Sequence, residues 1–437
     1  MNTNQTALPN RVGRAALVAL LLLALVLRAA MLWGLGGSLA QDRDNYRRIA
    51  EHVAAGEGFV DPQTGFPTAY RPPLYPLLVA AVLVSGFGNM AIGIVQLMLG
   101  VGAVILTMLC ARRLGLGRRS LVAALLVAVD PLLLQQTALV MTETTSAFLA
   151  ALVLWLGAGR PSRLRNIALG AAFGLCCLCR PTFWVFGALA VTIWAVVRIR
   201  ATNSASSPSR NHWRQGVGIA AGVAAGVVLV VAPWGIRNAI VMGRPIITTT
   251  HGGYTLLLAH NMPYTCAVVE QPWGAVWEAA SLNEWQASLE AEMARATPPI
   301  DAAHLSPAVE LARDTWMNRK AREYICNEPF VALKSGMTLV GRLWNVVPLA
   351  TKNTPLPNSV RWAIGGFYAV VLVAMLRGVC RLSRDDRLKW WPLLALIAGF
   401  TVVHSLYWAD MRMRAPLIPA IALLAAYRPG RDSDFLT

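Results

Sequence analysis

Long apolar runs alternate along the chain with short, arginine-rich connections, and the first run covers residues 15–33. A helix of about 20 apolar residues crosses a bilayer. Arg11 and Arg14 precede this run and no A-x-A-like cleavage site follows it. It also exceeds a signal-peptide core of about 7–15 residues, so it predicts an uncleaved membrane helix. Further runs predict crossings near residues 90–111, 119–137, 143–159, 165–179, 181–198, 215–235, 360–377, 389–407 and 414–427. Several are shorter than about 20 residues and must complete their span with flanking residues. No inverted internal repeat of the kind built into many transporters is visible.

Composition places this pattern in lipid. Hydrophobic residues make up 56% and charged residues 14% of 437 positions, with mean hydropathy +0.50. Soluble domains carry about 25% charged residues, so the fold class expected is an all-α polytopic membrane protein with membrane lipids around it. The net charge of +17 suggests nucleic acid only if it forms a basic soluble face. These arginines instead sit in short loops between apolar runs, which reads as topology and leaves no nucleic-acid partner expected.

With Arg11 and Arg14 in the cytoplasm, the basic loops at 110–120, 159–165, 198–214 and 377–389 fall on the same side, provided that residues 74–86 do not cross. That stretch begins among Pro72, Pro73 and Pro76 and is short of a full span, so it is read as lying along the outer surface. Residues 1–236 then form an N-terminal transmembrane module whose first outer loop is 36–89. Residues 237–358 form a small extracytoplasmic domain, and 359–437 carry the C-terminal transmembrane helices. Within the polar stretch, helices are expected at 273–295 and 307–327, separated by TPPID, with Trp273, Trp277, Trp285 and Trp316 near the membrane interface. A simple structural cap is the other reading of this domain. The Ser-rich segment 201–210 is expected to be a mobile cytoplasmic loop.

The segment QDRDNYRRIAEHVAAGEGF, from Gln41, begins the first outer loop. Tyr46, Ile49, Ala50 and Val53 recur at helical spacing, which predicts an amphipathic helix on the outer surface. Asp44 stands at its start, so it reads either as an N-cap or as a functional carboxylate, while Asp42 is not needed as a cap. Glu143, Arg180, Arg71, Arg237, Asn238, Arg412 and Arg414 converge on the same face of the membrane. Such groups line a cavity or pair with one another to hold helices together. Carboxylates and arginines at a cavity mouth suit a phosphate leaving group. A guanidinium binds phosphate bidentately, and a carboxylate accepts the proton of an attacking hydroxyl or amine.

DRDNYRRIAEHVAAGEGF, PTAYRPPLYPLL, MTET, CRP, PWGIRN, TTTHGGYTLLLAHN and RMRAPLIP occur in that order. Together they resemble the bacterial GT-C glycosyltransferases related to protein O-mannosyltransferases and to the lipid A aminoarabinose transferase. The resemblance covers most of the chain, with 270–359 weakly matched. It implies a GT-C helical bundle of about ten crossings with juxtamembrane helices. The implied reaction is inverting sugar transfer from a polyprenyl-phosphate donor to a lipid, glycan or protein acceptor. The implied location is the bacterial inner membrane, with the site facing the periplasm or exterior.

By the resemblance, Asp42, four before Tyr46, is the general base, Glu143 is the second acid and Arg71 neutralises the lipid phosphate. Asp44 is a further candidate acid. Arg180, Arg412 and Arg414 are expected to join Arg71 on the phosphate, and Tyr46, Tyr70, Arg237, Asn238, Tyr254 and Asn261 to contact substrate. Two departures stand out. Many relatives carry a second acid directly after the first, where this chain has Arg43. The aminoarabinose transferase has a metal-binding carboxylate just before the phosphate cation, where this chain has Tyr70. A divalent metal is therefore not supported: His251 and His260 are its remaining candidate ligands, but without a carboxylate partner hydrogen bonding is the preferred reading of both.

Cys176, Cys177 and Cys179 lie in an apolar helix and are read as packing. Cys266 and Cys326 both fall in the outward segment, and the sequence does not fix whether they meet. The alternative function is a polytopic transporter or flippase of a lipid-linked or anionic substrate. A transporter is expected to place charges near the midplane on broken helices, whereas here they gather at the outer rim. The residues that shape the sugar and acceptor pockets are expected in the loop 248–269 and in the weakly matched outer domain.

Overall fold

The computed structural model describes residues 11–203, 210–301, 305–349 and 356–429. The Ser-rich loop lies largely outside these residues. Among them the regular structure is helical, with a single β-bridge between Val60 and Pro67. The fold is an all-α bundle of a polytopic membrane protein. Every predicted crossing except 119–137 corresponds to one helix over most of its length, and among the described residues four helices are long and apolar enough to span a membrane unaided: Gly13–Ala40, Gly88–Arg113, Trp213–Val241 and Asn358–Cys380.

The first helix, α1 (Arg11–Leu35), leads through a 3-10 turn to the amphipathic α2 (Tyr46–Ala54) and then to α3 (Leu74–Val84). Tyr46, Ile49 and Ala50 are buried on α2 as the spacing predicts. Helices α4 (Gly88–Arg113) and α5 (Ser120–Ala128) follow. The crossing expected at 119–137 is broken there, and α6 (Pro131–Gln136) starts afresh. Pro131 has no N–H to offer the Val127 carbonyl, so α5 cannot continue. The fully buried Arg28 of α1 donates instead to the carbonyls of Val127 and Ala128 at 3.3 and 3.2 Å. Asp130 caps α6 by accepting from the Leu133 amide at 2.9 Å and from the Tyr368 hydroxyl at 3.1 Å.

Helices α7 (Glu143–Gly157), α8 (Arg163–Cys179), α9 (Phe183–Asn203) and α10 (Arg210–Val241) complete the first part of the bundle. The main core joins α4, α5, α7, α8 and α9 to α16 (Asn358–Cys380), α17 (Arg384–Val403) and α18 (Ile418–Ala426). Cys176, Cys177 and Cys179 are buried in it. The pair α8 and α10 packs backbone against backbone. Gly170 leaves no room for a Cβ beside the Val223 carbonyl, nor does Gly226 beside that of Ile167. In lipid such close approach of small residues replaces the hydrophobic drive between helices.

The polar segment has its own core. Helix α11 (Gly252–Ala259), the single turn α12 (Met262–Tyr264), α13 (Ala279–Ala294), α14 (Pro307–Asn327) and α15 (Pro329–Leu343) bury Leu257, Tyr264, Leu289, Met293 and Leu339 together. Helices α11 and α15 were not read from the sequence, and α13 starts six residues later than expected, after an irregular 273–278. Trp277 and Trp285 belong to this core rather than to a membrane-facing rim, while Trp273 is exposed and Trp316 packs under Lys320. Cys266 and Cys326 are exposed free thiols.

Replacing Gly226 by Leu is expected to cost about 1–3 kcal/mol by overpacking the α8–α10 contact. Gly218→Leu, at a position with open space, serves as the control. Thermal unfolding in detergent measures both, and equal melting temperatures would remove the close-packing account.

Candidate active site

A cavity of about 850 Å³ opens where α2, the turns after α6 and α8, the 248–255 segment, α13, α14 and the 403–413 turn meet. Its wall carries Asp44, Tyr46, Tyr70, Arg71, Arg180, His251, Tyr254 and Arg412. The sequence had named seven of these eight as site residues and His251 as a hydrogen-bonding residue.

The helix cap expected of Asp44 is made by Asp42. Asn45 adopts a left-handed conformation (φ 62°), which Asn tolerates better than most residues. The first turn of α2 thereby faces back toward Asp42, whose two oxygens accept from the amides of Arg47 and Arg48 at 3.1 and 2.9 Å. Asp42 is the residue that caps the helix, and it is not on the cavity wall. Asp44 makes no cap bond and faces the cavity, 3.3 Å from Arg71 Nη2 and 3.6 Å from Arg412 Nη1.

Glu143 begins α7, where a carboxylate also complements the helix dipole. It is fully buried, bonded to Arg180 Nη2 at 2.8 Å and 4.0 Å from Arg412 Nε. Arg180 ends α8 before Pro181 and also donates to Thr142 Oγ1 at 3.0 Å. Arg412 reaches a third carboxylate, Asp410, at 3.2 Å. Burial works against the charge of Arg412, but Asp410, Glu143 and Asp44 outweigh it and hold its pKa above the usual value. Arg71 lies over the rings of Tyr46 and Tyr70, 5.4 and 5.2 Å from their centroids. Burial, only partly countered by Arg71, pushes the Tyr46 phenol up to about 12, so it stays protonated.

Besides Asp42 and Glu143, four more expected site residues do not line the cavity. Arg414 is fully buried, donates to the carbonyls of Leu343 and Asn345 at 3.2 and 3.0 Å, and lies over Tyr368. Arg237 donates to the carbonyls of Thr68 and Phe59 at 2.7 and 2.6 Å, which fixes the first loop. Asn238 donates to Ile246 O, and Asn261 caps α12 by accepting from the Tyr264 amide. Each satisfies backbone groups that would otherwise be orphaned on burial.

His251 Nε2 lies 3.3 Å from Arg71 Nη1. An arginine can only donate, so this nitrogen is the acceptor. Burial and then the Arg71 charge hold His251 well below its ordinary 6.5, and the imidazole is neutral. The surroundings do not fit a divalent cation. A guanidinium occupies the accepting side of His251, Tyr70 supplies no carboxylate, and no group of three His, Cys, Asp or Glu converges among the described residues. His260 Nε2 bonds the Leu406 carbonyl at 2.8 Å.

Sequence reasoning missed the cavity residues of the polar segment, among them Gln286, Glu310, Arg313 and Asp314. Gln286 donates to the Tyr254 hydroxyl at 2.6 Å, and Asp314 accepts from the Gly253 amide at 2.6 Å. Glu310, Arg313, Asp314 and Met317 line the wall at helical spacing from α14. That one-sided spacing was the available signal, but nothing in it names the surface that α14 meets.

The oligosaccharyltransferase of Archaeoglobus fulgidus, solved with a tethered acceptor peptide, is similar to this chain at 14% identity and a TM-score of 0.53, over 94% of this chain and 48% of that one. The archaeal oligosaccharyltransferase AglB from the same organism, in complex with an inhibitory peptide and a dolichol-phosphate, matches at 13% identity and 0.52, over 94% and 49%. ArnT from Cupriavidus metallidurans, bound to undecaprenyl phosphate, matches at 15% identity and 0.42, over 94% and 76%. No protein-family model and no curated protein matches. The fold is one shared with the A. fulgidus oligosaccharyltransferase. The chain spans about half the length of the oligosaccharyltransferases it resembles.

Because the folded protein keeps His251 neutral, the unfolded chain alone takes up a proton as the pH falls through about 6.5. The stability linked to His251 is present above that pH and lost below it. His251→Gln is expected to flatten the fall in melting temperature between about pH 7.5 and pH 5. An unchanged pH profile would contradict the buried neutral imidazole.

Proposed function

We propose that this protein is a glycosyltransferase that moves a sugar from a polyprenyl-phosphate donor to an acceptor at the extracytoplasmic face of the membrane, with inversion. The observation that carries this reading is the cluster of Asp44, Arg71 and Arg412 on the wall of a cavity large enough for a sugar and its phosphate. The fold likeness supports a lipid-linked sugar transferase in general. One A. fulgidus structure contains a dolichol-phosphate and another an acceptor peptide.

Arg71 and Arg412 face the donor phosphate. As the bond between the anomeric carbon and the phosphate oxygen breaks, the leaving oxygen gains charge, and the two guanidiniums stabilise it. Both are paired to Asp44. A phosphate entering between them competes for those pairs and frees the Asp44 carboxylate. Asp44 then accepts the proton as an acceptor hydroxyl or amine attacks the opposite face of the anomeric carbon. Glu143, itself paired with Arg180, holds Arg412 from behind the cavity wall. Tyr46 and Tyr70 flank Arg71 and fix its plane. The family resemblance pointed to Asp42 as the base. The capping geometry of Asp42 favours Asp44 instead.

Asp44→Asn is expected to lower turnover by about 10²–10⁴-fold, the usual contribution of a positioned base. Asp42→Asn is expected to weaken the α2 cap by about 1 kcal/mol and to leave turnover near wild type. Arg71→Lys should recover only part of what Arg71→Ala loses, because a point charge replaces a planar fork. Transfer assayed with purified protein decides the assignment: an active Asp44→Asn beside an inactive Asp42→Asn would return the base to Asp42.

A further inference from the structure

Glu310 lies in the first turn of α14, and its local sequence, SPAVE, gives it only a helix-dipole role. The helix does not need its carboxylate, because Ser306 is the cap and accepts from the Val309 amide. The carboxylate reaches across the cavity wall instead. Its Oε2 accepts from Thr68 Oγ1 at 2.6 Å, and its Oε1 accepts from the Ala69 amide at 2.9 Å and from Thr250 Oγ1. These donors stand on two separate segments. Thr68 and Ala69 lie just before Tyr70 and Arg71, and Thr250 lies just before His251. The same segments are joined by one backbone bond, Thr250 N to Ala69 O, at 3.1 Å.

We infer that Glu310 is a positioning residue: by holding the 68–69 and 250 segments together, it sets the contact between Arg71 and His251 and so the orientation of the phosphate-binding guanidinium. The part of this inference that concerns phosphate rests on the function proposed above. Three donors converge on one carboxylate, which is acceptor-only when ionised. A glutamine keeps the shape but offers one accepting oxygen and an NH2 group that confronts donors. It leaves at least one of the three unsatisfied. The two segments then separate and Arg71 loses its alignment, although the hydrogen bonds of Glu310 go to Thr68, Ala69 and Thr250 and not to Arg71. Helix α14 of the weakly matched polar segment thereby governs a site whose charged residues lie elsewhere in the chain.

The test uses the full-length protein in nanodiscs and two measurements. The first is binding of geranylgeranyl phosphate, a short polyprenyl phosphate. The second is carbethoxylation of His251 by diethyl pyrocarbonate, read by mass spectrometry, which needs no ligand. Glu310→Gln is expected to weaken binding about tenfold, equivalent to about 1.4 kcal/mol, and to speed His251 labelling. In an Arg71→Ala background it should add nothing further to the binding loss, a non-additivity that general destabilisation would not produce. Thr250→Val, which removes a single donor, should shift both readouts the same way by less and carries the test if Glu310→Gln does not fold. Glu323→Gln, on the exposed far end of α14, is the control and should match wild type.

Wild-type binding and wild-type His251 protection in both Glu310→Gln and Thr250→Val would overturn the inference. If the wild type binds no geranylgeranyl phosphate while Glu310→Gln still exposes His251, the positioning of His251 by Glu310 stands and the donor assignment falls.

Discussion

Arg412 lies within 4.0 Å of three carboxylates, Asp44, Glu143 and Asp410, which come from the first loop, the start of α7 and its own turn. Much of the site depends on that convergence. Guanidiniums and carboxylates taken into a membrane bundle must be satisfied by one another or by backbone groups. Their pairing therefore draws separate helices to one point. Arg180 extends the network to the end of α8 and Arg71 extends it to the loop before α3. The same pairs that hold these elements together leave a cavity whose wall already carries the charges that a phosphate would displace.

The polar segment closes this arrangement from the other side. Gly253 packs so tightly on α14 that a Cβ has no room beside the Asp314 carbonyl, and the Asp314 side chain accepts from the Gly253 amide. Arg414 ties the end of α15 to the turn that carries Arg412 through the carbonyls of Leu343 and Asn345. Backbone satisfaction and site geometry are thus linked: residues that never touch the cavity fix those that do.

The helices were legible because apolar runs of membrane length admit few other structures. The break at Pro131 was missed for a local reason, since an uninterrupted apolar run hides a missing N–H whose effect depends on Arg28 a hundred residues away. Glu143, Arg180, Arg71 and Arg412 were legible as a group because each stands at a helix end on one side of the bundle. Arg414, Arg237, Asn238 and Asn261 share their residue types and neighbourhoods, yet they bond backbone carbonyls and amides. Sequence does not distinguish a guanidinium facing a cavity from one facing orphaned carbonyls. Asp42 and Asp44 are two residues apart, and the left-handed turn at Asn45 decides which of them caps the helix. Glu310 was hidden by distance, because its partners Thr68 and Ala69 lie 242 and 241 residues away.

The central claim is that the cavity breaks the bond between a sugar and a polyprenyl phosphate. The most direct measurement places the purified protein in liposomes with polyprenyl-phosphate-linked sugars and an envelope extract as acceptor source, then follows the lipids by mass spectrometry. The account predicts release of sugar-free polyprenyl phosphate with the wild type. Movement of the intact lipid-linked sugar across the bilayer, with no polyprenyl phosphate released, would contradict it and identify a transporter.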